Sequence, residues 1–178
     1  MLFRSGTDVS VILDLMIHDL DLVLALVASP IESVDAVGAA VASLHEDIAN
    51  ARIRFANGAV ATITASRVSP RIERRMRIFA QDAYLTVDFA ARKLTVVARG
   101  QGQPVPGIAG FGVDEVAWED HDSLAAEHGA FAAAILDGAP VAVDAAAGRR
   151  ALAAALAVGE SMRESQRRMR DSGLIRSP

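Results

Sequence analysis

Cysteine is missing from all 178 residues, which removes disulfides, thiolate metal sites and a thiol nucleophile in one step. Lysine is nearly missing, since Lys93 is the one lysine among basic residues that are otherwise arginine. Aromatic residues amount to 4%, and none interleaves with the arginines as a stacking platform for nucleic acid requires. Neither sign of charge prevails: the formal net charge of -4 comes without a block of like charges, so nothing draws the chain to nucleic acid or to an anionic membrane. No apolar run is long and clean enough to span a bilayer, because the richest, Val9 to Val27, is broken by Asp14, His18, Asp19 and Asp21. Met1 to Gly6 has Arg4 but no apolar stretch behind it, so a secretory signal of the usual form is excluded and a cytoplasmic location is expected. Chemistry is left to carboxylates, imidazole, hydroxyls and arginine.

Apolar residues make up 52% of the chain, enough for one well-buried domain and short for two, so a single core is expected. From Asp8 to Val27 they recur at Val9, Ile12, Leu13, Met16, Leu20, Val23, Leu24 and Val27, the spacing of one helix face. Ser29-Pro30 stops that helix. The period then changes. Ser33 to Ser43, Asp47 to Phe55, Ala59 to Ser66, Arg74 to Ala80, Tyr84 to Phe89 and Lys93 to Ala98 are short runs rich in Val, Ile, Thr and Phe, which predicts six strands. Asn57-Gly58 suits a two-residue hairpin turn, and links as short as Gln81 to Ala83 and Ala90 to Arg92 allow only antiparallel pairing. Gly100 to Gly112, dense in glycine and proline, predicts loop. Two helices follow: Ser123 to Leu136, ended by Asp137-Gly138, and Ala145 to about Met169, capped by Asp144. The fold class predicted is α+β: a mostly antiparallel, open-faced sheet of about six strands with helices on one face.

Asp14, His18 and Asp21 are spaced by four and three, so they share one narrow stripe of the first helix, bordered by Leu15, Leu22 and Ile17. A carboxylate one turn from a histidine can fix its tautomer, the arrangement of a general base that takes a proton from an alcohol. The same spacing also suits a histidine–carboxylate contact between packed helices, or, less well, a metal site without its usual His-rich or Cys-rich companions. Arg67, Arg71, Arg74, Arg75 and Arg77 cluster where one strand hands over to the next; arginine's planar fork suits phosphate oxygens, though arginines also line any solvated strand face. His45, His121 and His128 lack a partner at a motif spacing and read as surface histidines. Gly100-Gln101-Gly102 lacks the third glycine and the helix of a dinucleotide fingerprint.

The run from Asp8 to Asp21, with Asp14, His18 and the His-Asp-x-Asp ending, resembles the motif that opens the main helix of the C-terminal domain in the Gfo/Idh/MocA oxidoreductases. Ala51 to Gly58, Glu127-x-x-x-Phe131, Asp137-Gly138-x-Pro140 and the long terminal helix agree in order, so the resemblance covers nearly the whole chain. Asp14 to Asp21, Asp47 to Arg52 and Thr64 to Ser69 are similar to the branch acting on UDP-N-acetylglucosamine at its 3-hydroxyl. In that family a separate Rossmann domain binds NAD or NADP and contributes a lysine. The resemblance implies His18 as proton acceptor and Asp14 as the acid that orients it or the sugar; Asp21, from the same helix stripe, and Arg67 and Arg71, from the arginine cluster, are expected as substrate contacts. It also implies assembly of subunits through the open sheet face. No Rossmann segment precedes Met1 in this sequence, so the chain alone is expected to bind no dinucleotide and to turn nothing over, the missing half being supplied in cis or in trans. The competing expectation is a stand-alone, non-catalytic module for assembly or sugar-nucleotide binding.

Overall fold

A computed structural model describes residues 8–70 and 73–174. Its elements divide into two compact units, one of residues 1–70 with 142–178 and the other of residues 71–141.

The first unit begins with a single π-helical turn, Ile12–Met16, which continues without a break into α1, Ile17–Val27. Ser10 starts it, its hydroxyl accepting from the Ile12 amide at 3.3 Å. The helix ends as the Ser29-Pro30 pair requires, on Ala28 in the left-handed region (φ 48°). Strands β1 (Ile31–Ala39), β2 (Ile48–Phe55) and β3 (Val60–Ser66) form a three-stranded antiparallel sheet in chain order. In β2 the alternation is clean. Ala49, Ala51, Ile53 and Phe55 are buried, while Ile48, Arg52 and Arg54 face outward, as a strand with one covered face demands.

What covers that face is α1 together with the long last helix, Ala145–Asp171. Asp144 caps that helix through the Ala147 amide at 2.7 Å. Its inner stripe is Ala151, Ala154, Ala155, Val158 and Met162, mostly small side chains, so the helix lies close to β1. Ser161 ties the two together, accepting from the Ala36 amide and donating to the Val34 carbonyl, both at 3.0 Å. Gly38 is required by the same approach, because a Cβ there would lie 2.7 Å from the Ile48 carbonyl oxygen and inside the Met162 sulfur. Ala154, Ala155, Val158 and Met162 of that stripe and the buried face of β2, with Val11, Ile12, Met16, Leu20, Ala36, Ile63 and Ala65, make one core cluster.

The β2–β3 hairpin differs from its prediction in detail. Gly58 has positive φ (88°) but Asn57 does not, and Gly58 donates to the Phe55 carbonyl while Phe55 donates to Ala59. The turn is therefore a longer one with glycine at its left-handed position. Asn57 is held instead by Ser29, whose hydroxyl accepts its amide hydrogen at 3.2 Å.

The second unit is a five-stranded antiparallel sheet of β4 (Arg75–Phe79), β5 (Ala83–Asp88), β6 (Lys93–Arg99), β7 (Gln103–Pro104) and β8 (Phe111–Ala117). The order across the sheet is β4-β5-β6-β8-β7. The class is the α+β one predicted, but among the described residues eight strands fall into two sheets where one of about six was expected. Two strands were missed. Gly100 to Gly112 hid β7 and the start of β8, because glycine and proline read as loop even where Gly112 lets the chain press against Gln101.

Register sorts the second sheet's faces, since directly opposed residues share a side. Met76, Val87, Leu94 and Val116 form one cross-strand row, and Ile78, Leu85 and Val96 the next. The other face carries the Arg75–Asp88 pair at 2.6 Å and the Lys93–Glu115 pair at 2.5 Å. Helix α2, Ser123–Leu136, is capped by Asp122 through the Leu124 and Ala125 amides. It leaves Leu124, Phe131, Ile135 and Leu136 exposed.

Candidate functional site

The site expected from sequence lies at the start of the first unit's helix. Asp14 sits inside the π-helical turn and His18 one turn later in α1. A π turn carries one extra residue per hydrogen-bonded loop, and such turns occur frequently at functional sites. His18 is exposed, whereas Asp14 and Asp21 are half-buried. No hydrogen bond or ion pair among the described residues joins His18 to either acid. Asp14 has a different neighbour.

That neighbour is Arg67, which follows β3 directly. Its side chain is 2% exposed, and one terminal nitrogen lies 3.7 Å from Asp14 Oδ2 and donates to the Val9 carbonyl at 2.7 Å. On its other side the Arg67 Nε lies 3.8 Å from Asp47 Oδ1, and the Arg67 amide donates to the Asp47 carbonyl at 2.9 Å. Arg67, expected as a phosphate contact at the surface, is thus turned inward between two carboxylates. Burial of a guanidinium is tolerated where its charge is compensated, and here two carboxylates face it. Arg71 lies outside the described residues. Arg75, of the same cluster in sequence, belongs to the second unit and pairs with Asp88.

Asp47, in sequence only one residue of the Asp47 to Arg52 motif, has a structural role that the motif does not reveal. Its side chain is fully buried. Oδ2 accepts from the amides of Val41, Ala42 and Ser43 at 2.8, 2.7 and 2.9 Å, and Oδ1 accepts from the Ser43 hydroxyl at 2.8 Å. The loop between β1 and β2 is therefore wrapped around one carboxylate. The Ala42 amide is the largest cause, with the other amides and the Ser43 hydroxyl, that holds this carboxyl far below the ordinary value of 3.8, against burial, which pushes it up. Asp47 stays ionised at any physiological pH. The one sequence signal for it was an acid directly before an alternating strand, a pattern too common to single out.

Together these contacts run from the β1–β2 loop through Asp47 and Arg67 to Asp14, beside an exposed imidazole. A fixed acid near an imidazole open to solvent can hold a hydroxyl group and accept its proton. Nothing comparable exists at Gly100-Gln101-Gly102, which leads into β7 rather than into a helix N-terminus. Among the described residues, no group of three or more His, Asp or Glu side chains is placed to hold a metal ion, and no helix is long and apolar enough to cross a membrane.

An antiparallel sheet backed by two helices, with an Asp–x-x-x–His pair opening the first of them, defines the class. Residues 3–86 match the family model of the GFO/IDH/MocA C-terminal domain, and the chain belongs to that family. In sequence it is similar to the UDP-N-acetylglucosamine 3-dehydrogenase of Acidithiobacillus ferrooxidans, 48% identical over 151 residues that make up 85% of this chain and 48% of that protein. A solved structure of that dehydrogenase superposes with a TM-score of 0.79 at 47% identity, over 87% of this chain and 49% of the other. The WlbA dehydrogenase of Bordetella pertussis, solved in complex with NADH and UDP-GlcNAcA, shares the fold at a TM-score of 0.63 and 21% identity, over 89% of this chain and 44% of that one. The chain thus spans about half the length of the relatives it matches.

Proposed function

We propose that this chain is the substrate-side domain of an NAD(P)-dependent sugar or sugar-nucleotide dehydrogenase, acting on a sugar hydroxyl such as the 3-hydroxyl of UDP-N-acetylglucosamine. The observation that carries the reading is the half-buried Asp14 held by a buried guanidinium one turn before an exposed His18. The similarity to a UDP-N-acetylglucosamine 3-dehydrogenase supplies the substrate class.

The described residues offer no glycine-rich turn into a helix N-terminus and so do not fit a dinucleotide; NAD or NADP belongs to a nucleotide-binding half in cis or in trans, where a nicotinamide supplies hydride chemistry. The work of this chain is binding and proton transfer. His18 Nδ1 or Nε2 takes the proton of the sugar hydroxyl, Asp14 orients that hydroxyl, and Asp21 lies one turn further along the same helix to meet a second sugar oxygen. Arg71 is proposed as a contact to the diphosphate, whereas Arg67 supports Asp14 from inside. The apolar rows of the second sheet, Met76 to Val116 and Ile78 to Val96, are the surface for a second copy, because an uncovered apolar sheet face is costly in water. A cytoplasmic location suits an enzyme of nucleotide-linked sugars.

Calorimetric titration of this chain with UDP-N-acetylglucosamine and with NAD, separately, tests the assignment. Binding of the sugar nucleotide, weakened by His18→Ala and by Asp14→Asn, and no binding of NAD is the expected result. Saturable micromolar binding of NAD with none of the sugar nucleotide would overturn it, and binding unaffected by either substitution would move the site elsewhere.

A further inference from the structure

We propose that Arg67 is a positioning residue for Asp14, held from behind by Asp47, so that the β1–β2 loop and the substrate-facing acid are one mechanical unit. This rests on the assignment of Asp14 to the sugar site. The reasoning starts from burial: a guanidinium with 2% exposure must be compensated on every side. Its 2.7 Å bond to the Val9 carbonyl fixes it against the segment that enters the π-helical turn. Its two carboxylate neighbours then differ in kind. Asp47 is saturated by loop amides and a hydroxyl, cannot move and stays charged, so it serves as a fixed counter-ion. Asp14 is not saturated. Its Oδ2 is buried and accepts no hydrogen bond from the described residues, while 23% of its side chain is exposed. One oxygen is thus drawn inward by the Arg67 charge, and the exposure belongs to the other atoms of the side chain, on the side left to meet a ligand.

Such a division explains why an arginine is used where a lysine's single point charge could not reach Val9, Asp14 and Asp47 from one planar group. It also links Leu44, 96% exposed at the loop's tip, to the acid. A ligand that presses on that loop would bear on Asp47, then on Arg67 and Asp14.

A double-substitution cycle of Arg67→Met and Asp14→Asn, with Arg67→Lys and Asp47→Asn alongside, tests this by two readouts: affinity for UDP-N-acetylglucosamine and urea denaturation followed by circular dichroism. The expected result is that Arg67→Met weakens binding tenfold or more in the wild-type background and less than threefold in Asp14→Asn. Arg67→Lys should retain part of the affinity, and Asp47→Asn should lose part of it. Equal losses in both backgrounds would overturn the proposal, since independent contributions add and coupled ones do not. Should the unaltered chain bind no sugar nucleotide, the assignment of function fails, and the denaturation cycle alone decides this inference: non-additive stabilities support it and additive ones overturn it. If Arg67→Met does not fold, Arg67→Lys with Asp14→Asn runs the same cycle under the same criteria.

Discussion

The two units reach order by different means. In the first, three strands are covered by two helices, and the buried side chains form one continuous core with Phe55, Met16 and Leu20 at its centre. In the second, five strands pair over ladders no longer than those of the first, every residue of β5 is only half-buried, and α2 keeps its apolar side chains exposed. Hydrogen-bonded pairing alone builds a sheet, but covering one of its faces is what supplies most of the stabilising burial. The site follows the same division. Asp14, His18, Asp47 and Arg67 all stand on the well-packed unit, where their supports are rigid, as positioned chemistry requires.

The contrast can be broken most severely at Phe55. Phe55→Ala, which empties a fully buried site, is expected to cost about 3–5 kcal/mol. Leu85→Ala, in the half-covered sheet, should cost about half as much or less, because less surface returns to water. Urea denaturation with amide exchange resolved by residue would measure both. If the Leu85 change costs as much, the second sheet is covered in solution.

Gly38→Ala probes the closeness of the terminal helix to β1. It should destabilise by about 1–3 kcal/mol, since the new methyl meets the Ile48 carbonyl and Met162. A neutral result would mean that the helix can withdraw at little cost. In a double-mutant cycle, Gly38→Ala should cost less in a Met162→Ala background than in the wild type.

Asp47 gives the contrast a pH signature. Its folded-state carboxyl lies far below the ordinary 3.8, so its stabilising effect is complete above about pH 4 and is lost as pH falls towards the folded value. Thermal melts should therefore show the first unit weakening below pH 4. Asp47→Asn should lower the melting temperature at pH 7 by about 5 °C or more, as loop amides lose a charged acceptor, and should flatten the decline towards pH 3. An unaltered slope would assign that decline to other carboxyls.

The smallest effect belongs to the second sheet's surface. Asp88 is also held below the ordinary carboxylate value, first by the Ala91 amide and then by Arg75, but the pair is solvated. Arg75→Ala should change the melting temperature by less than about 2 °C. A larger loss, read in the same melts, would make that pair part of the second unit's framework.

Much of this is legible in the sequence. The three-and-four spacing from Val9 to Val27 gives its helix because a buried stripe needs that period. The alternation of Ala49, Ala51, Ile53 and Phe55 gives β2 for the matching reason, and Asp144 caps as a short acidic side chain before an apolar run does. The resemblance to the GFO/IDH/MocA C-terminal domain came from Asp14, His18 and Asp21 and is upheld by the family match. Harder to read were β7 and β8, where glycine and proline stand for close strand contact as readily as for loop.

Local pattern by itself determined the helices and the first six strands, since period and capping act over a few residues. Tertiary structure alone decided that the strands divide into two sheets, that Arg67 faces inward, and that Asp47 anchors a loop and a guanidinium at once. Residues distant in the chain meet there only because β3 and the first helix lie side by side. A buried charge takes whatever partner the packing brings, and no spacing along the sequence records which one that is.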